Sequence, residues 1–279
     1  MKNNIMLIVK GFILGIANII PGVSGGTLAI TLGIYEELIN TISHIFSNFK
    51  KNLKFLIPIG IGAVLSILLM SKLVTYSLDK FPIPTTLFFI GLIVGGIPLI
   101  FNKVKGKKKE TKNMIGFLIP FVLVIIMAFM KDPSNVVNLN SINPIMFLIL
   151  FIVGVIAAAT MVIPGVSGSF VLMLIGFYKP IMSTISKLTD FSLLGHNISV
   201  LLPFGIGIII GIIGVAKLIE YLLSKHELLT YHIILGFITA SIISLFMSLS
   251  TYNFNIGQIL VGIVLFIVGT VVGYKLGDE

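Results

Sequence analysis

Ile20-Pro21-Gly22-Val23-Ser24-Gly25 returns 143 positions later as Ile163-Pro164-Gly165-Val166-Ser167-Gly168. Each copy sits in the middle of a long apolar stretch. Proline lacks the amide hydrogen a helix needs, and glycine loses more backbone freedom than any other residue when it becomes helical. A lipid-facing helix does not run through such a sequence, because hydrocarbon offers nothing to the backbone groups the break sets free. Two breaks at matched places describe an internally duplicated membrane protein with discontinuous helices, the arrangement in which transporters build their binding sites.

The duplication reaches beyond the motif. Gly33-Ile34-Tyr35 and Thr41-Ile42-Ser43 align with Gly176-Phe177-Tyr178 and Thr184-Ile185-Ser186 at the same offset. At an offset of 145, Pro58, Gly60 and Gly62 match Pro203, Gly205 and Gly207, while Lys72, Tyr76 and Gly91 match Lys217, Tyr221 and Gly236. The repeats are therefore 1–131 and 132–279, together one integrated membrane domain.

Of the 279 residues, 57% are hydrophobic and 10% charged, with a mean hydropathy of +1.14. A soluble domain carries about 25% charged residues. Apolar segments can be read at about 5–20, 28–46, 55–78, 85–101, 114–130, 144–163, 170–186, 200–223, 231–250 and 256–277. The expected fold is an all-α polytopic membrane protein of two inverted repeats, each a re-entrant broken-helix pair followed by three transmembrane helices. Three crossings is an odd number, so the second repeat is inverted relative to the first. The face holding both termini then carries 13 of the 19 lysines, the other face carries Lys80, Lys131, Lys179 and Lys187, and Lys72 and Lys217 lie within helices. That asymmetry makes both termini cytoplasmic. Treating each broken pair as one kinked crossing yields a weaker split, about 11 to 6, with the N-terminus outside. The apolar N-terminal stretch lacks a signal-peptide cleavage pattern and reads as a retained part of the membrane domain.

A net charge of +9 does not point to nucleic acid here, because the lysines occupy loops between apolar segments and face anionic headgroups. All basic residues are lysine, so any anion site works without a guanidinium fork. There is no cysteine, which excludes disulfides and thiol chemistry. His44, His196, His226 and His232 lack metal-ligand spacing and read as loop or interface histidines, so no metal or cofactor is expected. No catalytic pattern appears: no H-E-x-x-H, no carboxylate pair in a membrane segment, no Ser/His/Asp grouping.

A re-entrant tip places the motif near the bilayer midplane. Pro21, Gly22, Val23, Ser24, Gly25, Gly26 and Thr27 form one candidate binding segment, and Pro164, Gly165, Val166, Ser167, Gly168 and Ser169 the other. Glycine lets backbone approach a ligand, main-chain amides suit an anion, and Ser24 and Ser167 are natural N-caps or hydroxyl donors. The plain alternative is a Pro-Gly kink with small residues for tight packing. Lys72 and Lys217 are the remaining candidates: they either attract a phosphate headgroup or snorkel to the interface. Tyr76 and Tyr221 read as interfacial belt residues, Glu36 as a solvated helix-end carboxylate, and Glu220 as a local partner of Lys217 or a proton carrier. Asn18 could cap a freed carbonyl.

The pattern G-x3-G-x5-PGVSGGT-x-A-x3-GIYE, from Gly11 to Glu36, with IPGVSGSF-x5-GFY from Ile163 to Tyr178, resembles the bacterial polyprenyl-phosphate transporters over essentially the whole chain. The resemblance implies a flippase-like transporter, not an enzyme. It would be a multi-pass protein of the cytoplasmic membrane that returns undecaprenyl phosphate to the inner leaflet for cell-envelope synthesis. It places the headgroup at the two PGVSG segments and makes a polyprenyl-phosphate lipid the partner, among membrane lipids. The residues name no coupling ion. A channel or exchanger for a small anion is the rival reading. A membrane-embedded lipid phosphatase would require an acid or nucleophile beside the tips, and none is visible.

Overall fold

The structure, a computed structural model, describes residues 4–20, 22–107, 110–130, 137–139, 142–187, 190–252 and 255–278. Pro21 and the 131/132 repeat boundary lie outside the described residues. Among those residues there are twelve α-helices and no strand: α1 (Asn4–Ile19), α2 (Gly25–Thr31), α3 (Tyr35–Ser43), α4 (Phe49–Lys80), α5 (Pro82–Val104), α6 (Thr111–Phe129), α7 (Pro144–Val162), α8 (Gly168–Leu174), α9 (Tyr178–Ser186), α10 (Leu194–Lys225), α11 (Glu227–Leu249) and α12 (Ile256–Asp278). Seven of them, α4 to α7 and α10 to α12, are long and apolar enough to cross a membrane.

The helix lengths repeat as well as the sequence. The pairs α2/α8, α3/α9, α4/α10 and α5/α11 have 7, 9, 32 and 23 residues in both copies. The outer pairs differ slightly, 16 against 19 residues for α1/α7 and 19 against 23 for α6/α12.

The apolar stretches 28–46 and 170–186, each expected as one segment, are each two helices. Gly33 has φ +65° and Gly176 φ +78°. The Gly33 amide donates to the Ile30 carbonyl at 2.8 Å and the Ile34 amide to Ala29 at 3.0 Å; Gly176 and Phe177 bond Met173 and Leu172 at 2.9 and 3.0 Å. This is a Schellman ending, closed by a left-handed glycine. Hydropathy does not register it, because the residues on both sides stay apolar. The resulting bend is 112° between α8 and α9.

Glycines set the helix packing. A Cβ on Gly62 of α4 would lie 2.1 Å from the Ile8 carbonyl oxygen of α1, and one on Gly207 of α10 2.1 Å from that of Phe151 in α7. Backbones approach this closely only where no side chain intervenes. Gly60 and Gly205, two residues earlier, meet nothing within 4 Å. The same close packing joins α5 to α12 through Gly91 and Gly95, and α6 to α11 through Gly236. The sixth helix of each repeat therefore lies on the fifth helix of the other, and α5 also packs on α11.

Candidate functional site

Both motifs follow the same backbone path. Gly22 and Gly165 have φ +85° and +82°, in the left-handed region that only glycine adopts freely. Ser24 and Ser167 then stand extended at the N-cap positions of α2 and α8, with φ/ψ of −95°/129° and −91°/122°. Neither side chain makes the capping bond, so both hydroxyls are used elsewhere.

The chain doubles back at each tip. A Cβ on Gly25 would lie 3.4 Å from Asn18 Oδ1, and one on Gly168 3.0 Å from Thr160 Oγ1. Helix α1 runs parallel to α4, with Gly11 beside Ile59 and Gly15 beside Ala63 and Ser66. The first tip is thus level with Ile67, the middle of a 32-residue helix.

The two tips touch. The Gly165 amide donates to Thr27 Oγ1 at 2.6 Å, Ser24 Oγ donates to the Ile163 carbonyl at 3.4 Å, and the Tyr35 hydroxyl donates to Val162 at 3.2 Å. Gly26 lies against Pro164, where an added Cβ would stand 3.1 Å from the Pro164 nitrogen. The last carbonyls of α7, which have no partner inside their own helix, are satisfied by hydroxyls of the other repeat. Ser167 instead shares a hydrogen bond with Ser169 at 3.1 Å.

A cavity of about 360 Å³ opens beside this junction. Val23, Ser24 and Gly25 wall it from the first tip, and Val166, Ser167, Gly168 and Ser169 from the second. Asn18 and Thr160 add polar groups, while Ile67, Phe204 and Ile208 supply an apolar side. A second cavity of about 200 Å³ lies across the second tip, between Gly22, Gly165, Val166, Ser167 and the helices α6 and α11, where Ser241, Ser244 and Ser248 line it. Thr27 and Pro164 hold the junction without lining either cavity.

The two hairpins are packed differently. Gly26 to Thr31 of α2 are all buried, and α2 lies on α5, α7 and α12. In α8 only Leu172 is buried, and the side of α8 toward α11 is the smaller cavity. Helix α2 is therefore the more closely packed of the two, although a further cavity of about 360 Å³ lies beyond its C-terminal end, walled by Gly33, Tyr35, Glu36, Lys103 and Tyr231.

An ionic cluster lines that further cavity. Glu36 of α3 accepts from Lys103 of α5 at 2.9 Å and from the Tyr231 hydroxyl of α11, and Lys103 also lies 5.5 Å from the Tyr231 ring centroid. Glu36 is thus a bridge between helices and not simply a solvated carboxylate. Burial raises its pKa, but the bonds from Tyr231 and Lys103 outweigh this and hold it below the usual carboxylate range. A depressed pKa means that the tie is complete above the ordinary carboxylate value of about 4.3 and is lost as pH falls through the lower folded value. Lys103→Met is therefore expected to lower the thermal midpoint at pH 8 and pH 6 equally, with the difference from wild type vanishing toward pH 3. A difference that instead grew with acidity would reverse the sign of this linkage.

Lys10 escaped the sequence reading, which counted it among the lysines of the termini face. It is buried, 3% exposed, and its Nζ donates to the Leu32 carbonyl at the end of α2 at 2.8 Å. A cation there suits the negative end of the helix dipole. The available signal was that Lys10 is the sole charge inside the 5–20 run. The matching position of the second repeat is Val153. Glu220 pairs with His44 Nδ1 at 3.3 Å, so the expected pairing with Lys217 is replaced by one between repeats. Asn18 walls the cavity.

The model of a family described as undecaprenyl phosphate translocase-like matches residues 14–259. The chain belongs to that family. It is 36% identical over 274 residues to a polyprenyl-phosphate transporter of Staphylococcus aureus, covering 97% of this chain and 95% of the relative. It is 28% identical over 250 residues to a polyprenyl-phosphate transporter of Vibrio cholerae, covering 84% and 75%. A 91-residue match at 29% identity to an undecaprenyl-diphosphatase of Clostridium tetani covers about a third of each chain. No solved structure matches.

In this translocase-like chain the two candidate lysines stand apart from the tips. Lys72 and Lys217 are exposed on α4 and α10 and line neither cavity at the junction. Each lies eight residues from its helix end, about 12 Å at 1.5 Å per residue. A 32-residue helix of about 48 Å is longer than a hydrocarbon core of about 30 Å. Tyr76 and Tyr221, four residues on, are both 56% exposed.

Proposed function

We propose that the protein carries a polyprenyl phosphate between the leaflets of the membrane, with the phosphate headgroup held where the two PGVSG tips meet. The observation that carries this reading is the cavity of about 360 Å³ walled by Val23, Ser24 and Gly25 of one motif copy and by Val166, Ser167 and Gly168 of the other. Its hydroxyls and glycine backbone suit a phosphate, and its apolar side, with Ile67 and Met161 exposed, gives an isoprenoid tail a way out. That apolar side favours a lipid over a small water-soluble anion. The names of the Staphylococcus aureus and Vibrio cholerae relatives point the same way.

In this reading each motif pair is re-entrant, residues 1–131 and 132–279 are inverted copies, and both termini face the cytoplasm. Alternating access then exchanges the packing of the two hairpins. In this state α8 meets α11 mainly through its tip, with Gly165 against Phe237 and Val166 packed with Ala240, and the space beside it opens toward the outer leaflet, while α2 is packed against α5 and α12. Recycling of undecaprenyl phosphate to the inner leaflet requires the opposite arrangement to follow.

The test is uptake of labelled undecaprenyl phosphate into proteoliposomes by a Ser24→Ala, Ser167→Ala double variant. Uptake is expected to fall about tenfold, the loss of one or two hydrogen bonds to a charged group. Wild-type uptake by the double variant would show that the hydroxyls do not hold the headgroup.

A further inference from the structure

The duplication leaves a second pair of cavities, remote from the tips, under the short helices α3 and α9. The one under α3, about 300 Å³, is lined by Glu37, Asn40, Thr41, His44, Asn48, Lys51 and Asn52. All seven have counterparts at the two repeat offsets in the lining of the one under α9, about 480 Å³: Pro180, Ser183, Thr184, Lys187, Leu193, His196 and Asn197. Both cavities form at the same joint. Asn52 donates its amide to the carbonyl of His44 at 2.7 Å, and Asn197 donates to that of Lys187 at 2.9 Å.

At the matched positions each cavity has one lysine and one histidine, with the order exchanged: His44 and Lys51 in one, Lys187 and His196 in the other. Keeping both types while swapping their places preserves the donors and not the local sequence. The two cavities differ in charge. Under α3, Glu37 is in the wall and Glu220 sits 3.3 Å from His44 Nδ1. Under α9 the described wall has no carboxylate, and Lys179 joins Lys187 and His196. Asp190 is within electrostatic reach of Lys187, and its Oδ1 accepts from the Ser192 amide and hydroxyl at 3.0 and 2.6 Å.

Position adds to chemistry. Tyr178 walls the central cavity, and Lys179, the next residue, walls this one. The first turn of α9 thus borders both spaces through consecutive residues.

We infer that the cavity under α9 is a docking site for a phosphate dianion or phosphate monoester, held by Lys179, Lys187 and His196, from which a headgroup passes to the tips. This rests on the transport reading for its purpose but not for its chemistry. The shared ligand feature is the phosphate, whether on a lipid or free.

The test titrates the purified full-length protein with farnesyl phosphate and, separately, with inorganic phosphate. Lys179→Gln combined with Lys187→Gln is expected to weaken farnesyl phosphate binding at least tenfold, about 1.4 kcal/mol. Lys50→Gln combined with Lys54→Gln, the same loss of charge at exposed positions outside the cavity, should bind within about twofold of wild type. A parallel loss with inorganic phosphate shows that the phosphate alone is recognised; a loss confined to farnesyl phosphate adds the tail to the site. Equal binding by the two double variants overturns the inference. If wild type moves labelled lipid and the Lys179/Lys187 variant still binds normally, only this site is wrong. If wild type moves no lipid, the transport reading fails, and the inorganic phosphate titration still decides the site.

Discussion

Thr27→Val is expected to lower polyprenyl-phosphate transport by at least about tenfold while the protein still accumulates in the membrane. Thr27 is 1% exposed, and its hydroxyl oxygen accepts the Gly165 amide at 2.6 Å. Valine has the same shape and no acceptor, so packing survives and one buried amide loses its partner. An orphaned buried donor costs about 1–3 kcal/mol. The Gly165 bond is the shortest contact between the tips, so the cost falls on the geometry of the cavity and not on the fold at large. Thr27→Ser keeps the oxygen and should transport close to wild type. Initial uptake into proteoliposomes, normalised to reconstituted protein, separates the two variants. If valine and serine behave alike, the hydroxyl is not what holds the tips together.

The second large effect lies in the scaffold. Gly62→Val should abolish the folded protein or depress its thermal midpoint severely, whereas Gly60→Val, two residues away on the same helix, should leave both unchanged. At Gly62 the added Cβ meets the Ile8 carbonyl oxygen at 2.1 Å and the Phe12 nitrogen at 2.7 Å. Both are backbone atoms of α1 and cannot rotate aside, so α1 must leave α4. Overpacking typically costs about 1–3 kcal/mol, and a clash against backbone belongs at the upper end. Helix α1 carries the first tip, so any protein that folds should also transport poorly. Gly60 meets nothing within 4 Å. Size-exclusion monodispersity and thermal unfolding in detergent measure the difference; equal midpoints would mean that α1 and α4 are not in backbone contact.

Much of this molecule was legible from residue order because duplication and hydropathy are local signals. The PGVSG pair, the matched glycines at offset 145 and the apolar runs located every long helix. The glycine breaks at Gly33 and Gly176 were quoted as repeat markers yet read through, since the runs stay apolar on both sides. Lys10 stands out in residue order as the sole charge of its apolar run, but nothing local names the carbonyl 22 residues away that it reaches. Residue order reads Glu36 as solvated and Glu220 as a partner of its neighbour Lys217, and both have partners on distant helices, Lys103 and Tyr231 for one and His44 for the other.

Chain order alone determined that this is a duplicated, helical, membrane-embedded protein with a broken segment opening each repeat. Those properties follow from periodicity and from what proline and glycine forbid. Only the tertiary structure decided that the tips touch, that Thr27 rather than Ser167 bridges them, and that identical motifs lie in unlike surroundings, α2 buried against its neighbours and α8 mostly not. Two copies of one motif carry the same local preferences, so the difference between them can come only from the helices each meets across the bundle.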